Sequence, residues 1–207
     1  MDYPSNRYIT RRGWITPTWD DNNVIDRRIR QAEDATIQIA EFCPPHKRRV
    51  AIQAGGSWGP WPLAFSEIFE TVYTFEPDSE CFCCLTANTS HKDNVIRLQA
   101  ALGGEDNFVK VVREKGSTGS QKTEYHGDIP LIMLDDICHR EDVDLIYLDT
   151  EGHEFEALLG AEGIIVDNGP VIAFEDRPFP TDHIKTFLKQ YGYREAGRIG
   201  HDCVMVC

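Results

Sequence analysis

A chain of 207 residues with 41% hydrophobic and 27% charged positions has the length and composition of one globular unit that buries its own core. The formal charge of −13, from 34 acids against 21 bases, repels phosphate backbones and anionic lipid and argues against a nucleic-acid partner. No apolar run approaches the ~20 residues that cross a bilayer, so no membrane association is expected. Seven cysteines, with no targeting peptide at the start, fit reduced thiols and a cytoplasmic location.

Taken in chain order, residues 1–22 are polar and read as an irregular arm carrying Tyr3, Tyr8, Trp14 and Trp19. Indole rings left in water are costly, so the arm should lie against the body. Ile25, Ile29, Ala32, Thr36, Ile39 and Phe42 recur at helical spacing, and Pro44-Pro45 ends that helix. Residues 1–47 are therefore an arm and helix packed on a core domain, 48–207. Arg27, Arg28 and Arg30, like Arg7, Arg11 and Arg12, read as a solvated basic face.

Strands are expected at 49–54, 71–75, 94–98, 144–148 and 170–174, and helices at 60–70, 78–89, 153–161 and 181–191. Pro60 suits a first helical turn, and Asp78 and Thr181 suit N-caps. Cys81-x-x-Cys84 has metal-ligand spacing but lacks a second pair, so no metal is expected there. Residues 104–128 break the rhythm: Phe108–Val112 is β-like, and Glu114–Ser120 is a polar, glycine-rich loop, either inert or a lid. Tyr193–Arg198 and Asp202–Val206, joined by Ile199-Gly200-His201, read as an antiparallel hairpin. Short apolar strands alternating with helices give an α/β fold: a Rossmann-like, mostly parallel sheet with helices on both faces and an antiparallel hairpin at the end.

Ligands on such a sheet bind beyond the carboxyl ends of the strands. Those ends carry Gly55, Gly56 and Gly59; Glu76; Gln99, Ala100 and Ala101; and Asp149, Glu151, His153 and Glu154. A glycine turn followed at the ~20-residue spacing of a β-α-β unit by an acid, here Glu76, holds an adenosine-bearing cofactor. A nicotinamide dinucleotide is disfavoured, because Ser57 and Pro60 stand where Gly-x-Gly-x-x-Gly needs glycine. Asp149, at the inner end of an apolar strand, must be offset by a partner or a ligand.

The runs Val72–Pro77, Gln99–Gly103, Asp149–Glu154 with Leu158–Ala161, and Pro170–Glu175 resemble the FkbM family of S-adenosylmethionine-dependent methyltransferases over residues 48–195. That resemblance implies a class I methyltransferase fold, S-adenosyl-L-methionine as cofactor, and O-methylation of a small-molecule or sugar hydroxyl. Gln53, Gly55, Gly56, Gly59, Glu76, Pro77, Gln99, Ala100 and Asp149 are the expected cofactor residues. Asp149, Glu151 and His153 are the expected catalytic groups, with Glu175 a further candidate. One departure stands out: family members carry an acid where this chain has Gln53, which supplies no negative charge. Gln53, Trp58 and Trp61 motivate an alternative, a non-catalytic binding module whose indoles fill the cleft.

Overall fold

The structure, a computed structural model, describes residues 7–20, 25–113, 118, 121–138, 142–176 and 181–207. Tyr3 of the arm, and all of the Glu114–Ser120 loop except Thr118, lie outside the described residues. The elements in order are β1 (Tyr8–Arg11), β2 (Trp14–Pro17), α1 (Ile25–Ala40), β3 (Val50–Ala54), α2 (Pro60–Ser66), β4 (Thr71–Phe75), α3 (Ser79–Asn88), β5 (Val95–Leu98) and β6 (Ala101–Leu102). There follow β7 (Asn107–Val112), β8 (Lys122–Tyr125), β9 (Ile129–Ile132), α4 (Leu134–Ile137), β10 (Val143–Leu148), α5 (Glu154–Leu159), α6 (Glu162–Asn168), β11 (Val171–Glu175), α7 (Asp182–Lys189), β12 (Arg194–Ile199) and β13 (Asp202–Val206).

Seven strands form the main sheet in the order β12-β13-β11-β10-β3-β4-β5. All neighbours are parallel except β13, which runs antiparallel to both β11 and β12. Strand order reverses between β3 and β10, so a crevice opens beyond their carboxyl ends. Both strands are apolar but for one residue each, and every residue of β10 is buried. Their side chains alternate between two cores. Ile52, Ile146 and Leu148 pack with α5–α7, whereas Ala51, Leu145 and Tyr147 pack with Ile39 of α1 and Phe65 of α2.

Two polar contacts hold β3 in place. Asp144, 2% exposed at its side chain, accepts from Arg49 N and Nε at 2.9 Å and from Arg49 Nη2 at 2.7 Å. This bidentate, charge-assisted pair locks the start of β3 against β10. At the other end of the strand, fully buried Gln53 accepts from Thr74 Oγ1 at 2.6 Å and donates to Ala54 O at 3.0 Å. The amide oxygen thus ties β3 to β4 while its NH2 satisfies a carbonyl of β3 itself, a donor role that a carboxylate cannot fill.

Several expectations hold and several need correction. Asp78 does cap α3, accepting from Glu80 N and Cys81 N at 2.9 Å. Thr181 occupies the N-cap position of α7, but its hydroxyl donates to Asp176 instead of capping the helix. α2 stops at Ser66, short of residue 70, where Asn94 Nδ2 donates to the carbonyls of Ser66 and Phe69. The helix expected at 153–161 is followed by a second, α6, because Gly160 packs so closely that a Cβ would lie 2.0 Å from Gly103 O.

Within the described part of the arm, residues 8–17 form a hairpin and are not irregular: β1 pairs β2 through a turn with Arg12 and Gly13 at positive φ. It is pinned by Trp14 edge-on to Trp58 at 5.0 Å and by Trp19 Nε1 donating to Glu80 at 2.7 Å. A second sheet has the order β6-β9-β7-β8, which sequence periodicity conceals because β7 and β8 are mostly exposed.

Replacing Asp144 with Ala removes a buried, charge-assisted contact and should lower unfolding free energy by about 2 kcal/mol in urea denaturation. Gln53→Glu loses the donor to Ala54 and buries a charge. It should cost ~2 kcal/mol near neutral pH by the same measurement, whereas a gain would show that the site tolerates an acid.

Candidate functional site

The crevice is a cleft of about 290 Å³, near the lower end of the ~300–1,000 Å³ of small-molecule sites. Its floor is the turn after β3. Gly55, at φ +84°, donates to Phe75 O at 3.0 Å, and a Cβ on it would lie 1.9 Å from Asp149 O. Only glycine fits there. Ser57 follows at φ +47°, a strained position for a non-glycine residue, and its amide points at Glu76.

Glu76, 5% exposed, lines the cleft at the end of β4. Its Oε2 accepts from Ser57 N at 2.7 Å and its Oε1 from Asp78 N at 2.8 Å. Burial pushes this carboxyl up to about 8 despite the two amides, with the nearby Asp78 charge adding to the rise. Pro77 and Ala100 line the same cleft.

Four expected cofactor residues stand elsewhere. Gln53 is consumed by the sheet, and Gly56 is buried against Thr74 and Leu85. Gly59, at φ +107°, is the N-cap of α2 and faces Leu85 and Thr89. Gln99 is exposed. None of the four lines the cleft; the second and third glycines serve chain geometry and close packing instead.

The carboxylates gather at the other end. Asp149 follows β10, its amide donating to Ala54 O at 3.1 Å; Glu151 stands at φ +54°; Glu175 ends β11. One oxygen of each lies within 4.8 Å of the others, a spacing compatible with a hard cation. Protonation also relieves the crowding. Asp149 is raised well above the usual range by burial, then by Glu175, Glu151, Asp202 and Glu154. Burial and then Glu151, Glu154 and Asp202 push Glu175 up to about 7. Burial takes Asp202 up to about 6, although the Tyr147 hydroxyl donates to it at 3.3 Å.

His153 precedes α5 and lines the cleft, with Nε2 3.3 Å from Thr123 O. Glu154 is structural: its Oε1 accepts from Thr150 N at 2.8 Å and Thr150 Oγ1 at 3.0 Å, and its Oε2 from Gly152 N at 3.1 Å. Trp58 is fully buried against the arm and does not enter the cleft; Trp61 lies on the wall, stacked on Tyr147 at 4.6 Å.

Sequence reasoning misses two walls. α1 supplies Arg27, Arg28 and Gln31, and the second sheet supplies Val111, Lys122 and Thr123. Helical pitch from Arg27 to Gln31 hints at the first group; the β-like Phe108–Val112 and the loop read as inert or a lid are the hint at the second. A further cavity of about 360 Å³ adjoins the cleft, and Gln31, Trp61, Asp149 and Glu175 line both.

The family model for the methyltransferase FkbM domain matches residues 56–195, about two thirds of the chain. No curated protein matches it in sequence. Among solved structures, it is similar to a methyltransferase FkbM from Methylobacillus flagellatus KT: 17% identity, TM-score 0.55, covering 88% of this chain and 58% of that one. This chain thus spans little more than half of that relative's length. Precorrin-6y C5,15-methyltransferase from Geobacter metallireducens GS-15 superposes with TM-score 0.52 at 9% identity, covering 100% of this chain and 96% of that one. A SAM-dependent methyltransferase from Leishmania major does so with TM-score 0.51 at 11% identity, covering 91% and 78%. The sheet order with its inserted antiparallel β13 is that of class I S-adenosylmethionine-dependent methyltransferases. By the extent of the sequence match over this fold, the chain belongs to the FkbM methyltransferase domain family.

Proposed function

We propose that the protein is an S-adenosylmethionine-dependent O-methyltransferase acting on a hydroxyl of a small molecule or sugar. The observation that carries this reading is the placement of Asp149 and Glu175 on the wall shared by the two cavities, one sized for a cofactor and the other for an acceptor. Residues 48–207 then hold the chemistry and residues 1–47 cover it. Free thiols at all seven cysteines suit the cytoplasm. No described helix is long and apolar enough to cross a membrane.

The cleft fits the cofactor. Glu76 retains lone pairs for two ribose hydroxyls, and Pro77 and Ala100 flank the space for the base. Among the cleft-lining residues, Ser57 Oγ, Gln121 Oε1 and Thr123 Oγ1 are buried without a hydrogen-bond partner, as befits groups that await a polar ligand. When bound, the cofactor supplies an already activated methyl group on a sulfonium. The protein aligns the acceptor oxygen in line and takes its proton. Asp149 or Glu175 performs this, since burial and neighbouring carboxylates raise both above the usual carboxylate range, which makes the ionised form a better base. Glu151 and His153 border the same space and orient the loop or the acceptor.

The acceptor occupies the second cavity. Trp61, stacked on Tyr147, offers an aromatic face, and Gln31, Gln38 and His201 offer hydrogen bonds. Neither lysine nor arginine lines it among the described residues, which favours an uncharged polyol over a phosphorylated one. The degraded-pocket alternative loses two of its three motives, because Trp58 is buried elsewhere and Gln53 serves the sheet, while Trp61 lines the cleft.

Isothermal titration with S-adenosylhomocysteine tests the reading: micromolar binding is expected, and no binding at high micromolar protein would refute it. Glu76→Ala should weaken binding by about 10- to 100-fold through two lost hydrogen bonds. Ribose hydroxyls prefer the ionised carboxylate, so binding releases a proton below the free value of about 8. Affinity should therefore climb with pH by up to about tenfold per unit towards that value, and level off above it. In Glu76→Gln this contribution should vanish.

The same groups make stability fall as pH rises. Glu76, Glu175, Asp202 and Asp149 are all raised in the folded state, which holds more protons than the unfolded chain between the ordinary carboxylate range and about 8. Their contribution is complete below the unfolded values and is lost as each folded value is passed. Without cofactor, the melting temperature should be higher at pH 5 than at pH 8; equal values would contradict the burial of these acids.

A further inference from the structure

Ser57 Oγ, Gln121 Oε1 and Thr123 Oγ1 belong to residues that line the cleft, and all three are buried with no hydrogen-bond partner among the described residues. A buried polar atom left so is destabilising until a partner arrives. The three atoms are not equivalent. A hydroxyl turns to donate or to accept, so the serine and the threonine suit many ligands. An amide oxygen only accepts, and its partner must bring an N–H or an O–H.

The other half of the Gln121 amide shows where that oxygen stands. A continuous run of hydrogen bonds leads from it to Glu76. Gln121 Nε2 donates to Cys81 Sγ at 3.5 Å, Cys81 N to Asp78 Oδ1 at 2.9 Å, and Asp78 N to Glu76 Oε1 at 2.8 Å. Cys81 is fully buried in the first turn of α3, and Asp78 is the N-cap of that helix. Gln121, just before β8, is thus held at the Glu76 end of the cleft, where Pro77 also lines the wall. With Nε2 engaged by the sulfur, the oxygen is the half of the amide left to a ligand.

S-adenosylmethionine offers donors of three kinds. Its ribose hydroxyls are matched by the two oxygens of Glu76, and its ammonium is drawn to Asp149, Glu151 and Glu175. The exocyclic N6 amine of adenine remains, and the base takes the space beside Pro77 and Ala100.

We propose that Gln121 reads the adenine of the cofactor, its Oε1 accepting from the N6 amine while Cys81 holds the other half of the amide in place. This rests on the cofactor reading above and adds to it a residue that selects the base. A purine with a carbonyl oxygen in place of the amine sets two acceptors against each other, so the site rejects it.

Calorimetric titration of wild type and Gln121→Leu with two probes tests this: S-adenosylhomocysteine and S-inosylhomocysteine, which carries that carbonyl. Wild type should prefer the adenosyl probe by about 10-fold or more. Gln121→Leu, similar in size, should bind the adenosyl probe about 5- to 10-fold less tightly and the inosyl probe no less tightly than wild type does. Each preference is a ratio within one protein, so a loss of stability in the variant does not imitate the result. Equal binding of both probes by wild type would overturn the proposal. A wild-type preference for the inosyl probe would overturn it too, as the sign of an amide that turns Nε2 to the cleft. Weakening of both probes by one factor in the variant would reduce Gln121 to a packing residue, which also overturns it. Wild type binding neither probe would refute the cofactor reading, and this proposal with it.

Discussion

Everything at the site depends on how closely two backbones approach at the centre of the sheet. Gly55 lies so near the Asp149 carbonyl that any side chain would overlap it, and Asp149 N returns a hydrogen bond to Ala54 O. Because β3 and β10 are parallel neighbours that end level, the glycine turn and the acid meet face to face. The same turn places the Ser57 amide on Glu76, which fixes the carboxylate at the far end of the cleft. One steric constraint thus sets the distance between the two functional ends.

Burial gives opposite results for acids on one strand. Asp144 and Asp149 flank the interior of β10. Asp144 is neutralised by Arg49 and serves only to hold the strands in register. Asp149 meets Glu175 and Glu151 instead, and no cation among the described residues relieves it. A fold built for stability alone would pair or remove these groups. Their retention at the boundary of two cavities is what makes them candidates for proton transfer.

Specificity resides in what covers the sheet. The hairpin β1–β2 anchors on Trp58 through Trp14 and on α3 through Trp19, and α1, next in the chain, walls both cavities. The second sheet supplies Val111, Lys122 and Thr123 to the cleft and touches the loop before α5 where His153 meets Thr123. Of these covers, the family model spans the second sheet and not α1. Aromatic and amide groups from α1 and α2, with His201 of the β12–β13 turn, line the second cavity.

Strand-and-helix alternation, the glycine turn, Glu76 and the acids after β10 were legible in the chain because each follows from local rules: apolar runs, turn chemistry and strand ends. The family resemblance rested on the same residues. Gln53 read as a weakened cofactor contact, yet its neighbour across the sheet, Thr74, makes it a structural amide, and no local rule names that partner. Gly56, Gly59 and Gln99 read as cofactor contacts because motif spacing does not tell which face of a turn a residue presents. The arginines of α1 looked like an ordinary polar face, yet packing sets Arg27 and Arg28 at the edge of the cleft. Local periodicity settles which elements form and where strands end; which side chains meet across those ends depends on register and on the covers, contacts between residues far apart in the chain that only the tertiary structure decides.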